Sequence, residues 1–167
     1  MLIHGTATAE LRRIVAELDA IGAGAHREEM SASLAAEGIV LIKSGFENSR
    51  SPDGTPWEPL KLRHGNPLVD TGRLRNSFIP RISPSGFEIE ATNVKYAGVH
   101  QFGATIVPKK TRALHFRADG RWFFAKKVEV PAREFIPTGP LPSAWASKLE
   151  AVARKVLARF LPSAEAA

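Results

Sequence analysis

The sequence predicts an α+β fold in which N-terminal helices and a C-terminal helix pack on an antiparallel β-sheet of hairpins. Three observations favour this class: helical periodicity before residue 49, β-rich segments with tight turns between residues 79 and 130, and a helical stripe after residue 143. The chain has 167 residues, of which 44% are hydrophobic, so it can bury one core. We expect a single domain over 1–167, with 1–24 as a helical N-terminal extension and 161–167 as a flexible tail.

Two helices are predicted first. Residues 10–20 repeat apolar side chains at helical spacing until Gly22 and Gly24 end the pattern. Residues 26–48 predict a longer helix with two adjacent apolar stripes, which together form one broad face. The first stripe contains Met30, Leu34 and Leu41, and the second contains Ala35, Ile39, Ile42 and Phe46.

A long loop follows over residues 48–70, because six prolines and glycines there interrupt regular structure. Loops longer than about 12–15 residues inside compact domains are usually functional or disordered. This loop carries the apolar residues Trp57 and Leu60. We therefore expect it to dock on the domain or on a partner.

Hairpins are predicted in the second half of the chain. The first covers residues 79–91, reverses at 83–86, and follows a short helical turn at 74–78 that Asp70 caps. Residues 96–102 form another helical turn, which Gly103 closes as a left-handed cap. Residues 104–107, 113–117 and 121–130 are β-rich, and residues 118–120 make the tight turn of a second, longer hairpin.

A last helix is predicted after the proline-rich residues 131–142. Its apolar side chains repeat at helical spacing and are Trp145, Leu149, Val152, Val156 and Phe160. We expect this stripe, including Trp145, to face the core.

The residue types argue against several kinds of chemistry. The chain has no cysteine, which excludes disulfides, thiolate metal sites and a cysteine nucleophile. Its five histidines show no metal-binding spacing, and its four aspartates fit turns and caps. Neither a nucleophile elbow nor a phosphate-binding loop is present. We expect no enzyme activity, no metal and no cofactor.

The chain also lacks a run of about 18 apolar residues and a secretory signal, so we expect a soluble protein that folds in the cytoplasm.

The net charge of the chain, +6, is unevenly distributed. Residues 1–49 carry 4 basic and 7 acidic side chains, whereas residues 50–167 carry 19 and 10. Such opposite parts can meet head to tail in neighbouring copies, or the basic part can face DNA or an acidic partner. The alternative is an ordinary solvated surface.

Four ordered motifs stand out. They are Gly54-Thr-Pro-Trp57-Glu-Pro59-Leu60, Asp70-Thr-Gly-Arg-Leu-Arg-Asn-Ser-Phe78, Tyr96-Ala-Gly-Val-His-Gln-Phe-Gly103 and Pro131-Ala-Arg-Glu-Phe135. In this succession the chain resembles the phage virion morphogenesis family, which includes tail-completion proteins, over about residues 25–160. Residues 61–67 depart from the family pattern because they form a short stretch without a dense basic run.

The resemblance implies a non-catalytic structural protein of the phage neck or tail end. It would complete the tail and stabilise head–tail joining as a homo-oligomeric connector ring, assembled in the host cytoplasm and located in the virion at the head–tail junction. The implied partners are other neck, portal-side and tail proteins, with possible non-specific contact to channel DNA and none to membranes. The interaction residues we assign are Trp57, Leu60, Thr71, Gly72, Arg73, Tyr96, His100, Gln101, Phe102, Gly103, Lys109, Lys110 and Arg112.

Three of these assignments have alternatives. His100 could act as a metal ligand or a catalytic base, or its ring nitrogens could form hydrogen bonds with backbone groups in the turn before Gly103. We favour the hydrogen bonds. Trp57 stacks on a base or fills a pocket, and we favour the pocket. For a ring, we expect the acidic N-terminal helices to contact the basic β region of the next copy, with Phe102 and Trp57 as apolar anchors.

The second hairpin is the most basic stretch, with seven basic residues against one acidic residue between positions 109 and 127. It fits an interface or channel lining, which we favour. The rival function is a nucleic-acid-binding protein that uses this hairpin. Its phosphate contacts would be Arg112, Arg117, Arg121 and Lys126, and its stacking residues Trp122 or Phe124.

Overall fold

The computed structural model describes residues 9, 12, 13, 16, 24–83 and 86–160, and these confirm the predicted α+β class. In chain order the elements are α1 (Gly24–Asn48), β1 (Phe78–Ser83), β2 (Gly86–Ala91), α2 (Ala97–Phe102), β3 (Ala104–Ile106), β4 (Leu114–Ala118), β5 (Arg121–Ala125), β6 (Val128–Val130) and α3 (Ser143–Leu157). The apolar face predicted within residues 10–20, and the tail predicted at 161–167, lie outside the described residues. None of the described helices combines the length and the apolar character needed to cross a bilayer.

The long helix α1 lies between two apolar cores, and each predicted stripe faces one of them. The first core is built from Met30, Leu34, Leu41, Leu149, Ala153, Val156 and Leu157. The second core is built from Ile42, Phe46, Trp57, Leu74, Phe78, Ile89, Val94, Ala97, Phe135 and Ile136. Both stripes are therefore confirmed, but they serve two cores instead of one broad face.

The C-terminal helix α3 carries its predicted stripe into the first core, where Leu149 and Val156 are buried. Trp145 is half-buried and contacts both cores. The helix packs mainly on α1, whereas α1 itself covers the β1–β2 hairpin. Because the first stripe of α1 offers α3 an apolar partner, α1 lies between α3 and the hairpin.

The β1–β2 hairpin forms as predicted, with Phe78 opposite Ala91 and Ser83 opposite Gly86. Its turn residues 84 and 85 lie outside the described residues. Ile89 is buried against α1, where a Cβ on Gly38 would lie 2.7 Å from the Cδ1 of Ile89. The missing side chain of that glycine lets the helix and the hairpin approach closely.

Residues 104–130, which we call the β arm, form two short ladders and not one long hairpin. Strand β3 pairs with β6, and β4 pairs with β5, both antiparallel. The strand predicted over residues 121–130 is interrupted at 126–127. Residues 107–113 connect β3 to β4, while only 126–127 connect β5 to β6, so the two sides cannot stay in register.

The tip of the β arm is the turn predicted at residues 118–120. Asp119 and Gly120 both have positive φ angles, 48° and 77°, as two-residue hairpin turns require. Among the described residues, the arm contributes no member to either core. The arm therefore keeps most of its side chains at the surface.

The long loop is confirmed, since residues 49–77 form no helix or ladder beyond an isolated bridge between Arg50 and Pro56. The Nη1 of Arg50 donates to the Gly54 carbonyl at 2.7 Å. The Thr55 N–H donates to Asp53 Oδ1 at 2.9 Å. This aspartate has the turn role predicted from its neighbouring glycine.

Candidate functional site

The four sequence motifs meet around the ring of Phe46, near the C-terminal end of α1. Trp57, Phe78 and Phe135 come from three of these motifs, and their ring centroids lie 5.4, 5.9 and 5.6 Å from that of Phe46. Ala97 of a further motif is buried in the same core. Aromatic pairs at such distances contribute about 0.5–1.5 kcal/mol each beyond their buried area. The motifs thus build one structural centre from segments far apart in the chain.

Trp57 fills a pocket inside its own domain. Its ring is buried, and its Nε1–H donates to the Glu134 carbonyl at 2.9 Å. The neighbouring Leu60 is half-buried. Because the indole is enclosed within its own chain, Trp57 is not accessible as an anchor for a neighbouring copy, which corrects that expectation.

Gln101 connects α2 to the segment before α3. Its side chain is only 2% exposed. The Nε2 donates to the Ile136 carbonyl at 2.6 Å, and the Oε1 accepts from the Phe135 N–H at 3.1 Å. One amide therefore satisfies two buried backbone groups, which would otherwise destabilise the fold.

Arg133 holds the long loop against the domain, and the sequence interpretation did not single it out. Its Nε and Nη2 donate to the Glu58 carbonyl at 2.9 and 2.8 Å, and Nη2 also reaches the Pro59 carbonyl at 3.4 Å. The pKa of the guanidinium lies below its ordinary value because the group is buried. The negative charge of the Glu58 carboxylate offsets only part of this lowering. The only signal for this role was the position of the arginine in the fourth motif.

His100 is half-buried, and the expectation that both ring nitrogens bond to the backbone is wrong. Its Nδ1 is buried and has no hydrogen-bond partner in the part of the chain that the structure describes. The main chain is paired instead, because the His100 carbonyl accepts from the Arg133 N–H at 2.7 Å. Burial, and secondarily the charge of Arg133, lower the pKa of the imidazole. The ring packs edge-on against Tyr96, with centroids 5.6 Å apart.

The Thr-Gly motif forms a turn without a helix, and Asp70 does not cap it as predicted. The Thr71 Oγ1 accepts from the Arg73 N–H at 3.4 Å, which gives the turn a threonine cap. Gly72 has φ 76°, and its carbonyl accepts from the Asn76 N–H at 3.0 Å. The Arg73 Nη2 donates to the Asn93 carbonyl at 2.9 Å, which connects this turn to the end of β2.

The short helix α2 divides its side chains between the interior and the surface. Ala97 and Gln101 are buried, whereas Tyr96 and Phe102 are exposed, the latter by 62%. Gly103 ends the helix with a positive φ as expected, but its ψ of 165° is extended and not left-handed helical. A Cβ there would lie 2.9 Å from the Ala132 nitrogen. The bare glycine lets the β arm leave the domain beside residue 132.

Five of the seven basic residues of the β arm lie where its two ladders separate, and Arg117 and Arg121 lie within the β4–β5 ladder. Lys109, Lys110 and Arg112 are exposed in the 107–113 connection, and Lys126 and Lys127 are exposed in the opposite one. All five lie between the ladders and so belong to neither strand pair. The sequence placed these charges on a hairpin, and the structure places them at its interruption.

The β4–β5 ladder has two different faces. One face, which we call the Trp122 face, contains the cross-strand pairs Arg117–Trp122 and His115–Phe124. All four side chains are exposed there, Trp122 by 65% and Phe124 by 66%. The opposite face holds Phe116 and Phe123, which are half-buried and stacked with their centroids 5.6 Å apart. The chain thus displays aromatic rings and positive charge on one side of the arm.

The described residues offer exposed surfaces that another molecule could contact. No group of three or more histidine, aspartate or glutamate side chains among them is placed to hold a metal ion. The buried polar side chains of Trp57, Gln101 and Arg133 donate to backbone carbonyls of the same chain. The exposed candidates are Thr71, Arg73, Tyr96, Phe102 and the basic residues of the β arm.

Comparisons with known proteins agree with the motifs. The model of the phage virion morphogenesis family matches residues 7–154. The chain is also 32% identical over 118 residues to the Mu-like prophage FluMu G protein 2 of Haemophilus influenzae, an alignment that covers 71% of each chain. No solved structure matches the chain significantly.

Proposed function

The chain belongs to the phage virion morphogenesis family, and we propose that it is a structural component of the neck or tail end of the particle. In this proposal it completes the tail and stabilises the joining of head and tail. It acts as a connector ring of identical copies at the head–tail junction. The observation that carries the proposal is the family match over residues 7–154.

The distribution of the motif residues supports a structural role. Trp57, Gln101 and Arg133 each hydrogen-bond to a backbone group of a distant segment. These bonds join the long loop and α2 to the segment before α3, so that the surface keeps a defined shape. A subunit that must fit its neighbours repeatedly needs such a framework.

A catalytic role has less support. The conspicuous titratable group near the motifs is His100, whose pKa is lowered by burial and whose Nδ1 has no hydrogen-bond partner among the described residues. A general base needs a partner group in a site that a substrate can reach. We propose that the protein is not an enzyme. Incubation with DNA, RNA and ester substrates plus divalent metals should give no turnover, and hydrolysis that disappears in His100→Ala would overturn this.

The decisive experiment removes the gene from the phage or prophage that carries it. We expect the lysate to contain filled heads and separate tails that fail to form stable particles, and a plasmid copy to restore infectivity. Normal particles from the deletion would refute the proposal. A map of the virion with isolated single copies away from the head–tail axis would refute the ring.

Nucleic-acid binding is a second candidate function, which the Trp122 face favours. Exposed aromatic rings beside Arg117 suit stacking with the bases of a single strand. Contacts with phosphates would make the affinity fall steeply with salt. A gel-shift titration with single-stranded DNA at several salt concentrations tests this candidate, which requires tight, salt-dependent binding that Trp122→Ser weakens.

A further inference from the structure

We propose that the Trp122 face of the β arm binds the outward side of helix α1 in a neighbouring copy of this chain. This inference rests on the proposed ring and names the surfaces that join its subunits. In this inference the apolar anchors are the exposed residues Trp122 and Phe124, and not the buried Trp57.

The Trp122 face is an exposed surface with two large aromatic side chains. Trp122 and Phe124 are about two-thirds exposed on a two-stranded ladder, a structure that is only marginally stable alone in water. The tip of the arm already contacts the long loop, because the Nε2 of His64 lies 3.8 Å from Asp119 Oδ2. The opposite face is half-buried. The Trp122 face is therefore the side that remains available to another molecule.

The outward side of α1 offers an apolar strip of fitting shape. Ala32, Ala36 and Val40 are exposed at intervals of four residues, so they form one row along the helix. Val40 is 57% exposed although it is a large aliphatic residue. The two alanines of the row leave room for flat aromatic rings to lie against the helix.

The charges of the two surfaces are complementary. The β arm carries seven basic and two acidic side chains, whereas α1 carries four acidic and two basic ones. Glu28 is exposed before Ala32, and Glu47 is exposed beyond Val40. The exposed Lys43 lies between Val40 and Glu47, so the complementarity rests on the net acidic charge of α1 as a whole. Opposite charges around an apolar centre steer association and fix its register. The same charges disfavour a nucleic-acid partner for α1 but not for the arm.

A contact between these two different surfaces is head to tail by definition. Within one chain the strands of the arm pack on each other and not along α1, so both surfaces remain exposed on every copy. A contact between two different surfaces of the same protein produces a closed ring when its rotation permits. One aromatic side chain buries about 150–250 Å², so the area that Trp122 and Phe124 bury together is smaller than the roughly 800 Å² that each partner buries in a standard interface. We therefore expect a weak pairwise contact that closure of the ring strengthens.

The absence of cysteine from the sequence allows a direct test. We would place His115→Cys on the Trp122 face together with Ala36→Cys on α1 in the phage genome, and treat purified particles with a short bismaleimide. The matched control combines His115→Cys with Ala151→Cys, an exposed position on α3. We expect a ladder of covalent multimers from the first pair and only monomer from the control.

The outcomes separate this inference from the ring itself. A ring in electron micrographs whose copies are not crosslinked by the first pair, or are crosslinked by the control pair, overturns the inference and leaves the ring. Isolated single copies overturn both.

If the cysteine variants do not enter particles, Trp122→Ser with Phe124→Ser provides the second test. It should lose the ring while the purified protein unfolds at the wild-type temperature, and rings that form normally would overturn the inference. A variant that assembles normally but loses binding to single-stranded DNA would assign the face to nucleic acid.

Discussion

At the scale of single residues, Gln101 is the side chain with the clearest energetic role. It satisfies the Ile136 carbonyl and the Phe135 N–H while being 2% exposed. We predict that Gln101→Leu lowers the free energy of unfolding by about 2–5 kcal/mol, because both backbone groups lose their partner in a buried site. Urea denaturation measures this, with Thr105→Val at an exposed site as the control. Equal midpoints for the two variants would contradict the prediction.

His100 predicts a dependence of stability on pH. Its pKa is lowered from the ordinary value of 6.5, so the folded state binds its proton less readily than the unfolded state does. The folded protein should therefore lose stability as the pH falls below about 6.5, and the loss should continue until the folded-state pKa is passed.

We expect His100→Phe to reduce this slope, since phenylalanine has no proton to bind. The test compares urea midpoints of the wild type and the variant between about pH 7.5 and about pH 5, on either side of the ordinary histidine pKa. The remaining histidines are common to both proteins, so the difference between the two slopes reports His100. Parallel slopes would exclude this histidine as the source.

At the scale of elements, Gly103 determines where the β arm leaves the domain. Its φ of 72° and ψ of 165° lie in a region that is essentially restricted to glycine. A Cβ there would also lie 3.0 Å from the Val130 carbonyl oxygen, at the other end of the arm. Both ends of the arm therefore depend on the absence of one methyl group.

Gly120 provides the matched control for Gly103. It has a positive φ of 77° at the tip of the arm, but a Cβ there would meet nothing within 4 Å. We predict that Gly120→Ala destabilises by about 1–2 kcal/mol through backbone strain, and Gly103→Ala by at least about 1 kcal/mol more through the added clash. Thermal unfolding of both variants measures the difference. Equal effects would mean that the root of the arm can move without cost.

At the scale of the whole molecule, the charges of the β arm should matter for assembly and not for folding. Lys109, Lys110 and Arg112 are exposed in the 107–113 connection. We predict that reversing all three to glutamate changes stability by less than about 1 kcal/mol, because exposed charges contribute little to it. The same change should weaken association with a partner that the basic arm steers.

The readout is the yield of infectious particles from a genome that carries the three substitutions, together with the melting temperature of the purified protein. The control reverses Lys148 and Lys155, which are exposed on α3, a helix that packs mainly on α1. A normal yield from the arm variant would show that the basic arm is only a solvated surface. A yield lowered equally by both variants would indicate a general effect of charge.

The sequence by itself determined the class of the fold and most of its elements. The two stripes of α1 and the stripe of α3 were readable because an amphipathic helix repeats its buried positions every three or four residues. The β1–β2 hairpin and the turn at Asp119 were readable because alternation and turn residues are local signals. The ordered motifs pointed to the phage virion morphogenesis family, and the family match bears this out.

Only the tertiary structure decided which residues meet. Arg133 and Glu58 lie 75 positions apart, and Trp57 and Glu134 lie 77 apart, so no local pattern could reveal their hydrogen bonds. The lack of a partner for the Nδ1 of His100 among the described residues likewise depends on what surrounds the ring, and not on its neighbours in sequence. The interruption of the β arm follows from the unequal lengths of the two connections between its ladders, residues 107–113 and 126–127. Contacts of this kind depend on how the elements pack, and the periodicity of a single element carries no information about its neighbours.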